Sequence, residues 1–539
     1  MDKYFLEVSV EKDNRSKIWR VADKILCDIL IVTFLYIIGQ KAYMIIHYGT
    51  PQELREMNTI VFADAFARGE NLYALSALEN AVPAATSMYG FLAPLLMKPF
   101  VKWLSMVGWN AVQSCEFMTL LVEAAGAAFF FRILYRKTAC SALSAAGMLL
   151  FYTCYWRCGA FGGAFPDAWG LTMSIILMDL IHRDEERKRY CPVLYAGILV
   201  GMFYTKQYFV LVTIGLCVYL FLRSRRDAWK LIISGILLTA VSVIVVQIVF
   251  PLYFSEILPI AQGQTITGSR AYSWEQLSKL SLYYKYSMLL ALAGFLTNLY
   301  FAWKYRRFWE SITYEGCQIL FSLPLLFRIA ENQGTNYTYY IQLWFPYIFA
   351  YSMISVVRIA EHLKFAKKGK TVYYTVVWLI LLLALNGIRP SFRVTFMTQQ
   401  QQKAWDNAYA ILDRYAAQGD ILVPMHLSEY CIENDIPTAS YGQAEYNDSY
   451  NLESYRKNKI WRNIPWLSYT EDILTKNIEY QEKVREDITN HRYRCVAYLY
   501  QREYGITEDD LGNAGYRAVA SEELVTGEQS WNTTFYVYE

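Results

Sequence analysis

Glu53, Arg55 and Glu56 stand within four residues of one another, a short step beyond the first long apolar run, Ile25–Tyr48. A carboxylate at the end of such a run can take the proton of a hydroxyl acceptor, provided a neighbour orients it. The plainer alternative is a solvated helix face carrying surface charges. Asp64 follows two helical turns after Glu56 and is a third acidic candidate. Other chemistry-bearing residues recur where apolar runs end: Tyr89 in M-Y-G-F-L-A-P-L, Asp167 in F-P-D-A-W-G, Lys206 in G-M-F-Y-T-K-Q, Arg328, and Asn336 and Tyr337 in N-Q-G-T-N-Y. Asp167 opens an apolar run, so it reads either as a helix N-cap or as a site residue. Lys206 is the lone cation in a tight turn between two apolar runs. It can snorkel toward headgroups or hold a lipid phosphate as a point charge, and Arg328 has the same two readings. Asn336 and Tyr337 can bond a phosphate or sugar, or cap the helix that follows. Within apolar runs, Glu116 and Glu123 fall seven apart on one helix face, and acids inside a membrane are functional candidates by default. Asp28, Lys41, Asp179 and Gln247 are singletons near run ends to which no role is assigned.

The elements that must position these residues are mostly apolar helices. The 539-residue chain is 55% hydrophobic and 17% aromatic but only 18% charged, a balance that points to lipid as solvent. Candidate spans are Ile25–Tyr48, Trp109–Arg132, Ala139–Trp156, Ala168–Ile181, Val193–Tyr204, Tyr208–Leu222, Leu231–Phe250, Tyr286–Trp303, Gly316–Ala330, Tyr339–Val357 and Val372–Leu385, about eleven in all. Met88–Met106 decides the topology. Counted as a span, it puts Arg132, Arg136 and Lys137 outside. Read as a proline-kinked helix on the outer surface, it leaves the basic residues of every inner segment, from Lys3–Arg20 to Lys364–Lys370, on one side. The expected fold is therefore a polytopic α-helical membrane protein with its N-terminus inside and its C-terminus outside.

The expected division is a cytoplasmic segment (1–24), a transmembrane domain (25–389) with a large first outer loop (49–108), and an extracytoplasmic α/β domain (390–539). In that last part Gln400–Gln418 has helical period, while Asp420–Pro424, Arg494–Tyr500 and Thr533–Tyr538 read as strands. The first 24 residues are too long and polar for a cleavable signal, and the first run is long enough to stay as an anchor. Ten cysteines show no metal-ligand spacing, and eight lie in or near apolar runs, where cysteine behaves as a small hydrophobe. A Cys431–Cys495 disulfide is allowed but not required. A net charge of +3 with no basic stripe gives no sign of nucleic acid.

Taken together, these segments resemble the C-type (GT-C) superfamily of integral-membrane glycosyltransferases, which includes aminoarabinose transferases and protein mannosyltransferases. The likeness lies in order and placement over roughly residues 20–390. It rests on the acidic P-Q-E-L-R after the first span, on Ala63, Gly69 and Tyr73 at the family's spacing, and on Tyr89, Gly90, Pro94 and Leu95. Pro166–Asp167 opening a span and Gly201 to Lys206 closing another complete it. One departure stands out: where the family often has Asp then Glu, this chain has Gln52 then Glu53.

The resemblance implies a plasma-membrane, multi-pass enzyme that moves a sugar from a polyprenyl-phosphate donor, with inversion, to a lipid or glycan acceptor hydroxyl at the outer face. Glu53, Glu56 or Asp64 would be the general base. Lys206, with Arg328 or Arg55, would stabilise the departing lipid phosphate, with Tyr89, Asp167, Asn336 and Tyr337 around it. No cofactor is expected, and a divalent metal requirement stays open. Membrane lipid is the expected surrounding, and nucleic acid is not a partner. A transporter or flippase would show repeats and polar groups at midplane. A polysaccharide polymerase or ligase would carry cationic and His residues in a large outer loop, where only His47 stands nearby. A non-catalytic scaffold is kept open by Gln52.

Overall fold

The computed structural model describes residues 17–51, 56–79, 89–158, 163–257, 312–325, 344–362, 396–434, 449–499, 506–526 and 529–538, together with isolated residues between 289 and 304. Among the described residues, nine α-helices occupy the first half: α1 (Lys17–Tyr48), α2 (Met57–Arg68), α3 (Leu92–Ser105), α4 (Ala111–Thr138), α5 (Ser141–Cys158), α6 (Pro166–Glu186), α7 (Pro192–Thr205), α8 (Val212–Arg223) and α9 (Arg225–Val249). They are followed by α10 (Tyr314–Cys317), which runs on into a π-helical turn, and by α11 (Phe345–His362). The expected spans at Tyr286–Trp303, Gly316–Ala330 and Tyr339–Val357 lie partly outside the described residues, and Val372–Leu385 wholly so.

The apolar sequence explains both faces of this bundle. α4 and α9 are long and apolar enough to cross a bilayer, at 28 and 25 residues. On α9, Ile233, Ile236, Leu237, Val241, Ile244, Val245 and Ile248 are all exposed. A continuous apolar surface of that size suits a lipid solvent rather than water. The inward faces of α1, α4, α5, α6, α7, α8 and α11 share one core, in which Phe34, Phe130, Phe151, Tyr152 and Tyr219 meet. α3 has only 14 residues, a rise of about 21 Å, and it packs against α2 and α4 through Ala93, Met97, Val101 and Val112.

The C-terminal region forms a mixed sheet. α12 (Gln399–Ala416) leads into β1 (Asp420–Leu422), then α13 (Ser428–Glu433), α14 (Ser449–Lys457) and α15 (Thr470–Thr489). β2 (Tyr493–Tyr498), α16 (Glu508–Asn513), β3 (Arg517–Thr526) and β4 (Gln529–Val537) complete it. The strand order is β1-β2-β4-β3, with β1 and β2 parallel and the other pairs antiparallel. Alternation along β2 explains the layers. Cys495 and Ala497 face the Trp405 and Leu412 side of α12, while Val496 and Tyr498 face Val484 and Ile488 of α15. Cys431 and Cys495 are both free thiols in the first of these cores, so the allowed disulfide is not formed.

The sheet region is tied to the helical part at several points. Asn110 Nδ2 donates to Gly49 O at 2.9 Å and also to the Glu429 carboxylate. Thr470 Oγ1 donates to Ser255 O at 2.8 Å, and Lys476 Nζ to Ala77 O at 2.7 Å.

Candidate active site

Lys206 is the centre of the best-defined polar cluster. α7 ends at Thr205, and Lys206 itself is extended, with φ −160° and ψ 129°, before a 3₁₀ turn at Gln207–Leu211. This break turns the lysine inward. Its ammonium lies 2.9 and 2.7 Å from the two carboxylate oxygens of Asp167. The Tyr208 hydroxyl donates to Asp167 Oδ1 from the same turn. The ammonium also sits 4.7 Å from the centre of the Tyr89 ring and 5.3 Å from that of Tyr208, within cation–π range. Lys206 is 5% exposed, so snorkelling is not its state: it is folded in against a carboxylate.

Asp167 likewise is not the N-cap. Phe165 occupies the N-cap position of α6 without a capping bond, Pro166 the first helical position, and Asp167 follows in the first turn. Proline is tolerated there because the first N–H has no helical partner, and an acid in that turn complements the helix dipole.

Two further segments lock onto this pair. Gly90 N donates to Thr205 O at 3.0 Å, and a Cβ on Gly90 would lie 1.8 Å from Tyr204 O. Only glycine lets this loop come so near the end of α7, and that approach places the Tyr89 ring against the Lys206 ammonium. Glu56, fully buried at the start of α2, accepts from Ala164 N at 2.6 Å. A Cβ on Gly163 would meet the same carboxylate at 2.1 Å. Glu56 therefore holds the backbone that delivers Pro166 and Asp167. Asp64 is paired with Arg68 at 3.0 Å on the next turns of α2. Burial pushes its carboxyl above the ordinary range, and Arg68 opposes that.

The structure thus brings together Tyr89, Asp167 and Lys206, with Glu56 one backbone link away and Asp64 further along the same helix. Glu53, Arg55, Arg328, Asn336 and Tyr337 lie outside the described residues. Several of the singletons turn out to be bonded. Lys41 bonds Glu123 at 3.2 Å, and Tyr152 bonds the same oxygen at 3.2 Å. Asp179 takes Arg132 and, at 3.4 Å, Arg136. Gln247 donates to Pro251 O at 3.2 Å. Tyr208 escaped notice in the sequence, although its place two residues after Lys206 on an extended step was a usable signal. Among the described residues, no group of three or more His, Cys, Asp or Glu side chains could hold a metal ion.

No protein-family model matches this chain, and no curated protein matches it in sequence. Solved structures do match in three dimensions. The Archaeoglobus fulgidus oligosaccharyltransferase in its apo form aligns with a TM-score of 0.52 at 9% identity, over 90% of this chain and 72% of that one. The same enzyme tethered to an acceptor peptide containing the NVT sequon aligns with a TM-score of 0.50 at 10% identity, over 96% and 74%. ArnT from Cupriavidus metallidurans, bound to undecaprenyl phosphate, aligns over 97% and 98% at 10% identity, with a TM-score of 0.44. At these identities the likeness to the oligosaccharyltransferase is one of fold alone.

Proposed function

We propose that the protein is an inverting membrane glycosyltransferase that takes a sugar from a polyprenyl-phosphate donor and passes it to an acceptor hydroxyl at the outer face of the plasma membrane. The observation that carries this reading is the buried Lys206–Asp167 pair, flanked by Tyr208 and Tyr89 and joined to the acidic first loop through Glu56 and Ala164. In it, Lys206 supplies positive charge where the lipid phosphate departs, and Asp167 and Tyr208 fix the ammonium's position. A charge fixed in advance costs no reorganisation as negative charge builds on the leaving phosphate.

Glu53 is the general base of this reading, because Glu56 is engaged with the α6 approach and Asp64 with Arg68. The base removes the acceptor proton as the oxygen attacks the anomeric carbon from the side opposite the phosphate, and the phosphate leaves with the bonding pair. Arg55 and Arg328 add charge at the phosphate, and Asn336 and Tyr337 add hydrogen bonds. The accompanying topology has about eleven spans, an inner N-terminus, a transmembrane unit over 25–389 and an outer α/β domain over 390–539. It is supported by the basic residues of the inner segments, from Lys3–Arg20 to Lys364–Lys370.

The test is sugar transfer by the full-length protein in liposomes containing a radiolabelled polyprenyl-phosphate hexose. The double variant Glu53→Gln/Glu56→Gln is expected to transfer nothing. Undiminished transfer by that variant overturns the assignment.

A further inference from the structure

A second unusual environment lies next to Lys206, beyond Phe91 and Tyr204. Those two rings are 5.1 Å apart, and they open onto a larger aromatic cluster of Phe62, Phe66, Tyr73, Phe250, Tyr253 and Phe254. Tyr253 is its hub. Its ring centre lies 4.9 Å from Phe91, 5.4 Å from Tyr73, 6.0 Å from Tyr204 and 5.1 Å from Phe254. Glu256 sits one turn after Tyr253 and is fully buried. Neither oxygen of Glu256, nor the Tyr253 hydroxyl, has a hydrogen-bond partner among the described residues. Buried polar groups are bonded in the great majority of cases, and each exception needs a reason. Here a carboxyl and a phenol are left together inside a wall of rings.

The enclosure is built rather than accidental. Asn71 Nδ2 donates to Val249 O at 2.7 Å, and Leu252 N to Tyr73 O at 3.0 Å. These bonds stitch the first loop to the end of α9. The cover comes from the sheet region. Ser255 Oγ donates to Trp466 O at 3.1 Å, Thr470 Oγ1 to Ser255 O at 2.8 Å, and Leu467 and Ile473 join the aromatic cluster. Burial pushes the Glu256 carboxyl well above the ordinary range, a direction that favours the neutral acid. A neutral carboxyl has one donor and an acceptor, and a phenol has one of each. That set complements neutral hydroxyls, whereas a phosphate would demand cations.

We infer that Glu256, Tyr253 and Tyr73 form a saccharide subsite, in which the carboxyl and the phenol of Tyr253 bond ring hydroxyls while the aromatic faces stack on the sugar. Entry requires the 464–476 segment to lift from Ser255 and Ala77. The inference rests on the proposed transferase reading only for the source of the sugar. Its chemistry stands on the enclosure alone.

The experiment is saturation-transfer NMR on the full-length protein in nanodiscs, with free glucose, galactose and mannose as probes. At least one pyranose is expected to give a signal. Glu256→Leu should weaken its binding about tenfold or more, through loss of two hydrogen bonds, while Glu256→Gln, which keeps a donor and an acceptor, should retain most of it. Tyr253→Phe provides a second, milder loss should the leucine variant fold poorly. A signal that persists while hexose transfer is absent would sink the transferase reading and keep the subsite. The absence of any pyranose signal in the unaltered protein overturns the inference, as does a signal indifferent to Glu256→Leu and Tyr253→Phe.

Discussion

Replacing Lys206 by Met leaves the Asp167 carboxylate almost fully buried, at 1% exposure, with Tyr208 as its remaining named partner. Replacing Asp167 by Leu leaves the ammonium buried beside two aromatic rings. Removing one member of a buried pair costs about 3–5 kcal/mol, because the survivor keeps its desolvation penalty without its partner. Removing both in favour of apolar side chains of similar size is close to neutral. The double variant Lys206→Met/Asp167→Leu is therefore expected to be more stable than either single one, with a coupling of roughly the single-variant loss. The assay is unfolding of the purified protein in mixed micelles by graded dodecyl sulfate, followed by tryptophan fluorescence. Transfer activity is measured on the same samples. The double variant should be stable and inactive, which distinguishes a charge needed for chemistry from one needed for folding. Additive losses would refute the pairing argument. Recovery of activity together with stability would refute the catalytic one.

Gly90→Ala should destabilise the protein by about 1–3 kcal/mol, since the added carbon would meet the Tyr204 carbonyl at 1.8 Å; a thermal melt reads this, and an unchanged midpoint would show that the loop does not press on α7. Glu56→Ala should cost about 1–3 kcal/mol by orphaning Ala164 N, and Glu56→Gln distinctly less, because its amide oxygen still accepts; equal losses in detergent unfolding would contradict the clamp. In the sheet region, burial holds His426 down at about 3, so the folded state favours the neutral ring. Its contribution is complete above the ordinary value near 6.5 and falls by up to about 1.4 kcal/mol per unit as pH drops from there toward 3. Glutamine at 426 should flatten that part of the stability-against-pH curve, and a curve identical to that of the unaltered protein would show that another group sets it.

The parts legible in the sequence were those governed by local pattern. Apolar runs foretold the helices α1, α4, α5, α7 and α9 to within several residues. The strand at Asp420–Leu422 followed from a short apolar run after a glycine turn, and that at Tyr493–Tyr498 and the second half of Gln529–Val537 from β-rich runs. β3 was missed because R-A-V-A-S-E-E-L-V-T buries little besides Leu524 and reads as polar. Charge pairing was not legible at all. Lys41 and Glu123 are 82 positions apart, and Arg132 and Asp179 are 47 apart, so Lys41 and Asp179 looked like singletons until packing supplied their partners. The same holds for Lys206 and Asp167, 39 apart. Sequence could mark both as candidates at run ends, but not that each is the other's counter-ion.

One residue shows how the sheet region reaches the acidic loop. Asn110 caps α4 through a capping box with Gln113. The same side-chain amide donates to Gly49 O, just after α1, and to Glu429 at the start of α13. Glu429 is itself buried and accepts from Tyr409 of α12. One amide therefore holds three things at once: the end of α1, from which Pro51–Glu56 departs, the start of α4, and the sheet region. Gly49 has φ 63°, a left-handed conformation that suits glycine and turns the chain at that point. A second Gln113 bond, Nε2 to Ile46 O at 2.9 Å, fastens the same corner. Glu56 at the far end of the loop is fastened to Ala164. The described residues on either side of 52–55 are thus both held, Gly49 to Asn110 and through it to the sheet region, and Glu56 to the segment that carries Asp167.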